Sequence, residues 1–195
     1  MFFAKIITKI LSSKLSVRLL FGIKVANSIP YQIGFSTILM KKALKKYALK
    51  DSHILDIGTG PLAVHAIWIK KNIGSDVVAT EISDDYIKNA GKIAAFNECF
   101  FVIIKSDLFM NVKNPEGFDL ILFNPPVENK EDDLSYVVAK RFVNESPKSK
   151  LLIVVNRLYV NFEKIESIIT SGNCKITEVV SSFMNPARVY VVEKR

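Results

Sequence analysis

The chain has 195 residues, 49% hydrophobic and 24% charged, a composition that supports a sizeable core and excludes a disordered chain. Two cysteines, Cys99 and Cys174, and two histidines, His53 and His65, form no ligand-spaced cluster, which excludes a disulfide framework and leaves no metal site to assign. The net charge of +8 is lopsided: residues 1–50 hold ten basic groups and no acid, whereas residues 51–195 hold 17 basic and 19 acidic groups. A basic arm of 1–50 on a near-neutral body of 51–195 suits an anionic partner, either nucleic-acid phosphate or an anionic membrane surface.

In the arm, Phe2, Phe3, Ile6, Ile7, Ile10 and Leu11 recur at helical spacing, with Lys5, Lys9, Ser12 and Ser13 on the other face. This predicts an amphipathic lead helix that packs its apolar face on the domain and leaves its basic face for a partner. Charges at 5, 9, 14 and 18 interrupt every long window, so no transmembrane span or secretory signal is expected, and a cytoplasmic location follows.

From residue 52 the pattern alternates. Apolar, β-branched runs at 53–57, 76–80, 100–104, 118–123, 151–155, 176–180 and 189–192 predict seven strands. Helical stretches at 62–71, 84–96, 134–144 and 162–171 separate the earlier ones, which predicts βαβ units and a parallel sheet covered on both faces. Only 181–186 separates the last two strands, so these should pair antiparallel.

Ligands in such sheets bind beyond the carboxyl ends of the strands. Four strand ends carry candidate residues there. After the first strand, Asp56, Ile57, Gly58, Thr59 and Gly60 form a glycine loop that lets the backbone approach a ligand. After the second, the carboxylate of Glu81 suits the two hydroxyls of a ribose, with Ile82 beside it. After the third, Asp107 and Leu108 follow Ser106, and the Asp107 carboxylate suits an adenine amino group or a helix cap. The loop and Glu81 fit NAD as well as S-adenosylmethionine. The fourth site separates these two: Asn124-Pro125-Pro126 makes a rigid, carbonyl-rich notch. The Asn124 side-chain oxygen and the Pro125 carbonyl could accept both hydrogens of an NH2 group, for which hydride transfer has no use.

On these residues the chain resembles the class I S-adenosylmethionine-dependent methyltransferases, more narrowly the "methyltransferase small" group with Asn-Pro-Pro at the catalytic strand end. That group includes rRNA guanine N2-methyltransferases and release-factor glutamine N5-methyltransferases. The resemblance runs from about residue 30 to 195. It implies a Rossmann-like, seven-stranded, mostly parallel sheet with the last strand antiparallel and helices on both faces. It implies S-adenosyl-L-methionine as cofactor. Asp56, Gly58 and Gly60 would surround the methionine part, Glu81 would take the ribose, and Ile82 would pack on the adenine. Asp107 and Leu108 would meet the adenine edge, and Asn124, Pro125 and Pro126 would hold the acceptor nitrogen. Ile153–Tyr159 and Ile33–Ser36 resemble segments of the rRNA guanine enzymes. Leu62 stands where the group usually has a third glycine, and Val127 stands where it has an aromatic ring against the acceptor. Tyr31, Phe35 and Tyr159 are candidates to supply that ring. The implied activity is methyl transfer to an exocyclic amino nitrogen, first of all in rRNA or other RNA reached through the basic arm. The alternatives are a protein glutamine, a binding module without turnover, and NAD-dependent oxidoreduction.

Overall fold

A computed structural model of the chain describes residues 9–26, 29–125 and 134–194. The elements in chain order are α1 (Lys14–Phe21), α2 (Phe35–Tyr47), β1 (His53–Ile57), α3 (Val64–Asn72), β2 (Asp76–Glu81), α4 (Asp84–Phe96), β3 (Val102–Lys105), β4 (Leu120–Phe123), α5 (Leu134–Glu145), β5 (Lys150–Asn156), α6 (Phe162–Ser171), β6 (Cys174–Ser182) and β7 (Asn185–Lys194). One sheet holds all seven strands in the order β3-β2-β1-β4-β5-β7-β6. The first five strands run parallel. β7 is antiparallel to both β5 and β6. The chain therefore leaves β1 in one direction through β2 and β3 and returns in the other through β4, and the carboxyl ends of β1 and β4 lie side by side.

The central strands bury both faces, which is why they read as continuous apolar runs. Ile54, Leu120, Leu122, Leu152 and Val154 face the layer of α1–α4. The alternate residues Leu55, Ile57, Ile121, Phe123, Ile153 and Val155 face α5 and α6. There Phe142 stacks on Phe123 at 4.2 Å between ring centroids.

Local sequence sets the element ends. Ser83 and Asn161 cap α4 and α6 by accepting backbone N–H groups three residues on, and Asp84 and Asp85 sit in the first turn of α4, where the helix dipole favours them. The helix predicted from residue 62 begins instead at Val64, because Ala63 adopts a left-handed φ of 44° and breaks the turn before it. β6 and β7 extend nearly to each other, so the turn is two residues, Phe183 and Met184, not the whole of 181–186.

The described part of the first fifty residues is built into the core. Val17, Phe21 and Ile23 are fully or almost fully buried. α1 is capped by Ser13 and ends on a left-handed Gly22; a helical extension is expected over 1–50, but the bounds of α1 and α2 are not set by the periodicity read above. Residues 2–8 of the predicted lead helix lie outside the described residues; of its apolar face, Ile10 is exposed and Leu11 half-buried. No helix among the described residues is long and apolar enough to cross a membrane.

Candidate active site

The carboxyl ends of β1, β2, β3 and β4 open on a cavity of about 610 Å³, in the range of small-molecule sites. Its wall carries Ile57, Gly58, Thr59, Gly60, Glu81, Ile82, Asp107, Leu108, Asn124 and Pro125, so four separate segments converge there. A second recess of about 210 Å³ adjoins it and shares Gln32, Thr37, Asn124 and Pro125.

Gly58 and Gly60 both have φ of 69°, the left-handed region that glycine tolerates. A Cβ at either would meet no protein atom within 4 Å, so the loop backbone is bare toward a ligand. The loop is held from below by β2: Thr59 N–H donates to the Thr80 carbonyl at 2.9 Å. The Glu81 carboxylate accepts from Gly60 N–H at 3.0 Å, Ile82 N–H at 2.8 Å and Ser83 N–H at 3.1 Å. Three of roughly four acceptor directions are thereby used, and one is left for a ligand hydroxyl.

Asp56 does not line the cavity. It lies beneath the glycine loop, buried, and accepts from Thr59 Oγ1 at 2.7 Å. Burial pushes its carboxyl above the ordinary range, with His65 and Thr59 opposing. His65, on α3, is buried as expected of a core histidine, yet also lines the cavity. Burial lowers its pKa, opposed by Asp56, and Nε2 lies 3.3 Å from the Thr37 carbonyl at the start of α2. Asp56 thus braces the loop from behind.

Asp107 reaches the cavity wall but shares its carboxylate with Arg141 of α5, whose Nη1 donates to both oxygens at 2.9 and 3.2 Å. Leu108 beside it has a φ of 50°, and Ser106 Oγ spans the turn by donating to the Leu108 carbonyl and accepting from Asn111 N–H. Arg141 escaped notice in the sequence because nothing marks a helix residue 34 positions away as the partner of a strand-end carboxylate. Gln32, Thr37 and Tyr86 were missed for the same reason: their place on the wall comes from chain crossing, not spacing.

Asn124 follows β4 directly, and its side-chain amide has no hydrogen-bond partner among the described residues, although it stands on the wall of both cavities. Pro125 is buried beside it. Pro126, Val127 and the predicted solvated loop at 130–133 lie outside the described residues. Leu62, in place of a third glycine, is buried and lines the large cavity. Of the three candidate rings, Tyr31 lines the large cavity, whereas Phe35 and Tyr159 line the recess beside Asn124.

A sheet of this order, with a glycine loop, a strand-end carboxylate and a carbonyl-rich notch around one cavity, is that of the Rossmann-like methyltransferase fold. A Pyrococcus furiosus methyltransferase superposes with a TM-score of 0.73 at 19% identity, covering 95% of each chain. The Thermus thermophilus 16S rRNA N2 G1207 methyltransferase, solved with AdoMet and guanosine, superposes with a TM-score of 0.65 at 17% identity, over 86% of this chain and 45% of that one.

The chain belongs to the methyltransferase small domain family, whose pattern matches residues 32–183. Release factor glutamine methyltransferase of Flavobacterium psychrophilum is 29% identical over 164 residues, 80% of this chain and 55% of that protein. Ribosomal RNA large subunit methyltransferase F of Desulfotalea psychrophila is 34% identical over 84 residues, 40% of this chain and 27% of that protein. The chain spans about half the length of the first of these relatives, and less of the second.

Proposed function

We propose that the protein is an S-adenosylmethionine-dependent N-methyltransferase acting on a planar NH2 group, with a base in rRNA or other RNA as the acceptor. The observation that carries this reading is the unpartnered Asn124 amide on the wall shared by the two cavities. The residues present fit the cofactor: bare glycine backbone at 58 and 60, an acceptor direction left on Glu81, and Asp107 at the far wall. Gly58, Thr59 and Gly60 would hold the methionine part, Glu81 the ribose, and Ile82, Asp107 and Leu108 the adenine.

When bound, the cofactor supplies an electrophilic methyl group on a sulfonium. The chain's own contribution is positioning and electrostatics. The Asn124 side-chain oxygen and the Pro125 carbonyl accept the two N–H bonds of the acceptor. They orient its delocalised lone pair toward the large cavity and stabilise the positive charge that develops on nitrogen. No base is needed in the bond-forming step, because the alkylated nitrogen is acidic enough to lose its proton to water. Phe35 and Tyr159 line the recess and are the rings on which a base would stack, a contact worth ~1–3 kcal/mol.

RNA is favoured over protein by the ten basic residues of the first fifty. A glutamine side chain of a protein is the second reading, favoured by the relative that aligns over 80% of this chain. Incubation with radiolabelled S-adenosylmethionine and separated RNA and protein fractions distinguishes the two by which fraction takes up label. Asn124→Ala should lower methyl transfer by about 100-fold or more, as loss of a preorganised oriented contact does. Calorimetric affinity for S-adenosylhomocysteine should stay within about threefold. An equal loss of both would remove Asn124 from the acceptor site.

A further inference from the structure

The hairpin of β6 and β7 ends in two residues that neither the fold nor the turn requires. Phe183 is 106% and Met184 86% exposed, the two highest values among the large hydrophobic residues described. The strands pair up to Ser182 and Asn185, so these two residues alone make the turn. Neither has a positive φ, and two-residue hairpin loops are ordinarily built from Gly, Asn and Asp. A register shift between Val180 and Ser182 re-aims the strand just before the tip.

The turn end of the hairpin is fastened to both segments that line the smaller recess. Asn185 Nδ2 donates to the Phe35 carbonyl at 3.0 Å, and Arg157 N–H donates to the Pro186 carbonyl at 3.0 Å. Phe35, Leu158 and Tyr159 line that recess together with Asn124. The tip therefore rises from the rim of the acceptor site. Its electrostatic setting is positive. Arg157 and Lys42 are exposed and make no ion pair among the described residues, and Lys42 Nζ reaches the Ser181 carbonyl at 3.4 Å. Glu178 is paired with Lys46, and Glu166 with Arg188.

We infer that the β6–β7 hairpin is a docking prong for single-stranded RNA, on which Phe183 stacks a base next to the target nucleotide while Arg157 and Lys42 hold the flanking phosphates. An aromatic ring interleaved with unpaired cations is the arrangement that binds a flexible strand without reading its sequence. It also provides a partner for the neighbour of a nucleotide turned into the recess. This inference rests on the RNA reading proposed above.

The test uses the full chain with S-adenosylhomocysteine and a fluorescein-labelled, mixed-sequence single-stranded oligoribonucleotide, followed by anisotropy. Phe183→Ala, at a fully exposed tip, should weaken binding about tenfold or more. Phe183→Trp should keep the affinity, and its emission should be quenched by the stacked base. Arg157→Ala and Lys42→Ala should each lower the dependence of log K on log salt by about one phosphate contact. Methyl labelling of RNA by the wild type is measured alongside. If RNA is labelled but Phe183→Ala binds it unchanged, the prong is overturned while the acceptor reading stands. If the wild type neither binds nor labels RNA, both fall. If the tip variant instead loses affinity for a labelled protein fraction, the nucleic-acid assignment is overturned.

Discussion

Glu81 shows how one side chain can organise a site. Its carboxylate gathers three backbone N–H groups from two loops and so ties the glycine loop after β1 to the turn after β2. Charge-assisted bonds of this kind contribute about 1.5–3 kcal/mol each. Glu81→Gln keeps the shape but turns an NH2 group toward at least one of those donors. Affinity for S-adenosylhomocysteine should fall about tenfold or more by calorimetry, with a smaller loss of thermal stability. An unchanged affinity would show that the residue braces the loop without touching the cofactor. Glu81 was legible in the sequence as a carboxylate at a strand end; its three-way backbone role was not. Asp56, read from the same motif, lies behind the loop because a buried partner, His65, and the Thr59 hydroxyl face it there.

At the scale of elements, one amide makes a two-way bond that helps to fasten the N-terminal segment. Asn97, at the end of α4, accepts from Lys24 N–H and donates to the Lys24 carbonyl, both at 2.8 Å, while also donating to the Ile93 carbonyl. It pairs with residue 24 as a neighbouring strand would. Lys71 adds a bond to the Gly22 carbonyl at 3.1 Å, and Lys41 bonds the Leu20 carbonyl while lying over Phe21 and Trp68. Burial lowers the pKa of that lysine. Asn97→Ala leaves two backbone groups of Lys24 without partners, and urea unfolding should show a loss of about 2 kcal/mol. An undiminished midpoint would mean that water replaces the amide at no cost. The sequence marked this region by its charge and by the helical spacing of its first apolar residues. Helices were expected over 1–50, but the bounds of α1 and α2 come from Ser13, Gly22 and Gly34 at their ends, which the apolar spacing does not mark.

For the whole molecule, a polar contact is added to the apolar packing at the antiparallel end of the sheet. β7 buries apolar residues on both faces, as the parallel half does, and is tied in addition to α6 through Glu166, which accepts from Tyr190 Oη at 2.8 Å and from Arg188. The Tyr190 pKa is pushed up to about 12, by burial first and by the Glu166 bond second. A raised folded-state pKa means that the folded protein keeps a proton the unfolded chain has lost. This contribution is whole below about pH 10, the ordinary tyrosine value, and is lost as pH rises toward about 12. Alkaline melts should therefore fall more steeply between those values for the wild type than for Tyr190→Phe. Parallel curves would place the alkaline transition elsewhere.

Strand runs, their alternation with helices, and the residues that stand at four strand ends are all set by local order, because strand and helix periods and turn-forming glycines and prolines act within a few residues. From these alone came the α/β class, the antiparallel close and the Asn124 notch. Folding decided which of those residues share a wall: Arg141 reaches Asp107, and Phe35 and Tyr159 line one recess with Asn124. Such encounters join residues separated by tens to more than a hundred positions. They depend on how the helices and strands pack as rigid bodies, which no short stretch of chain encodes.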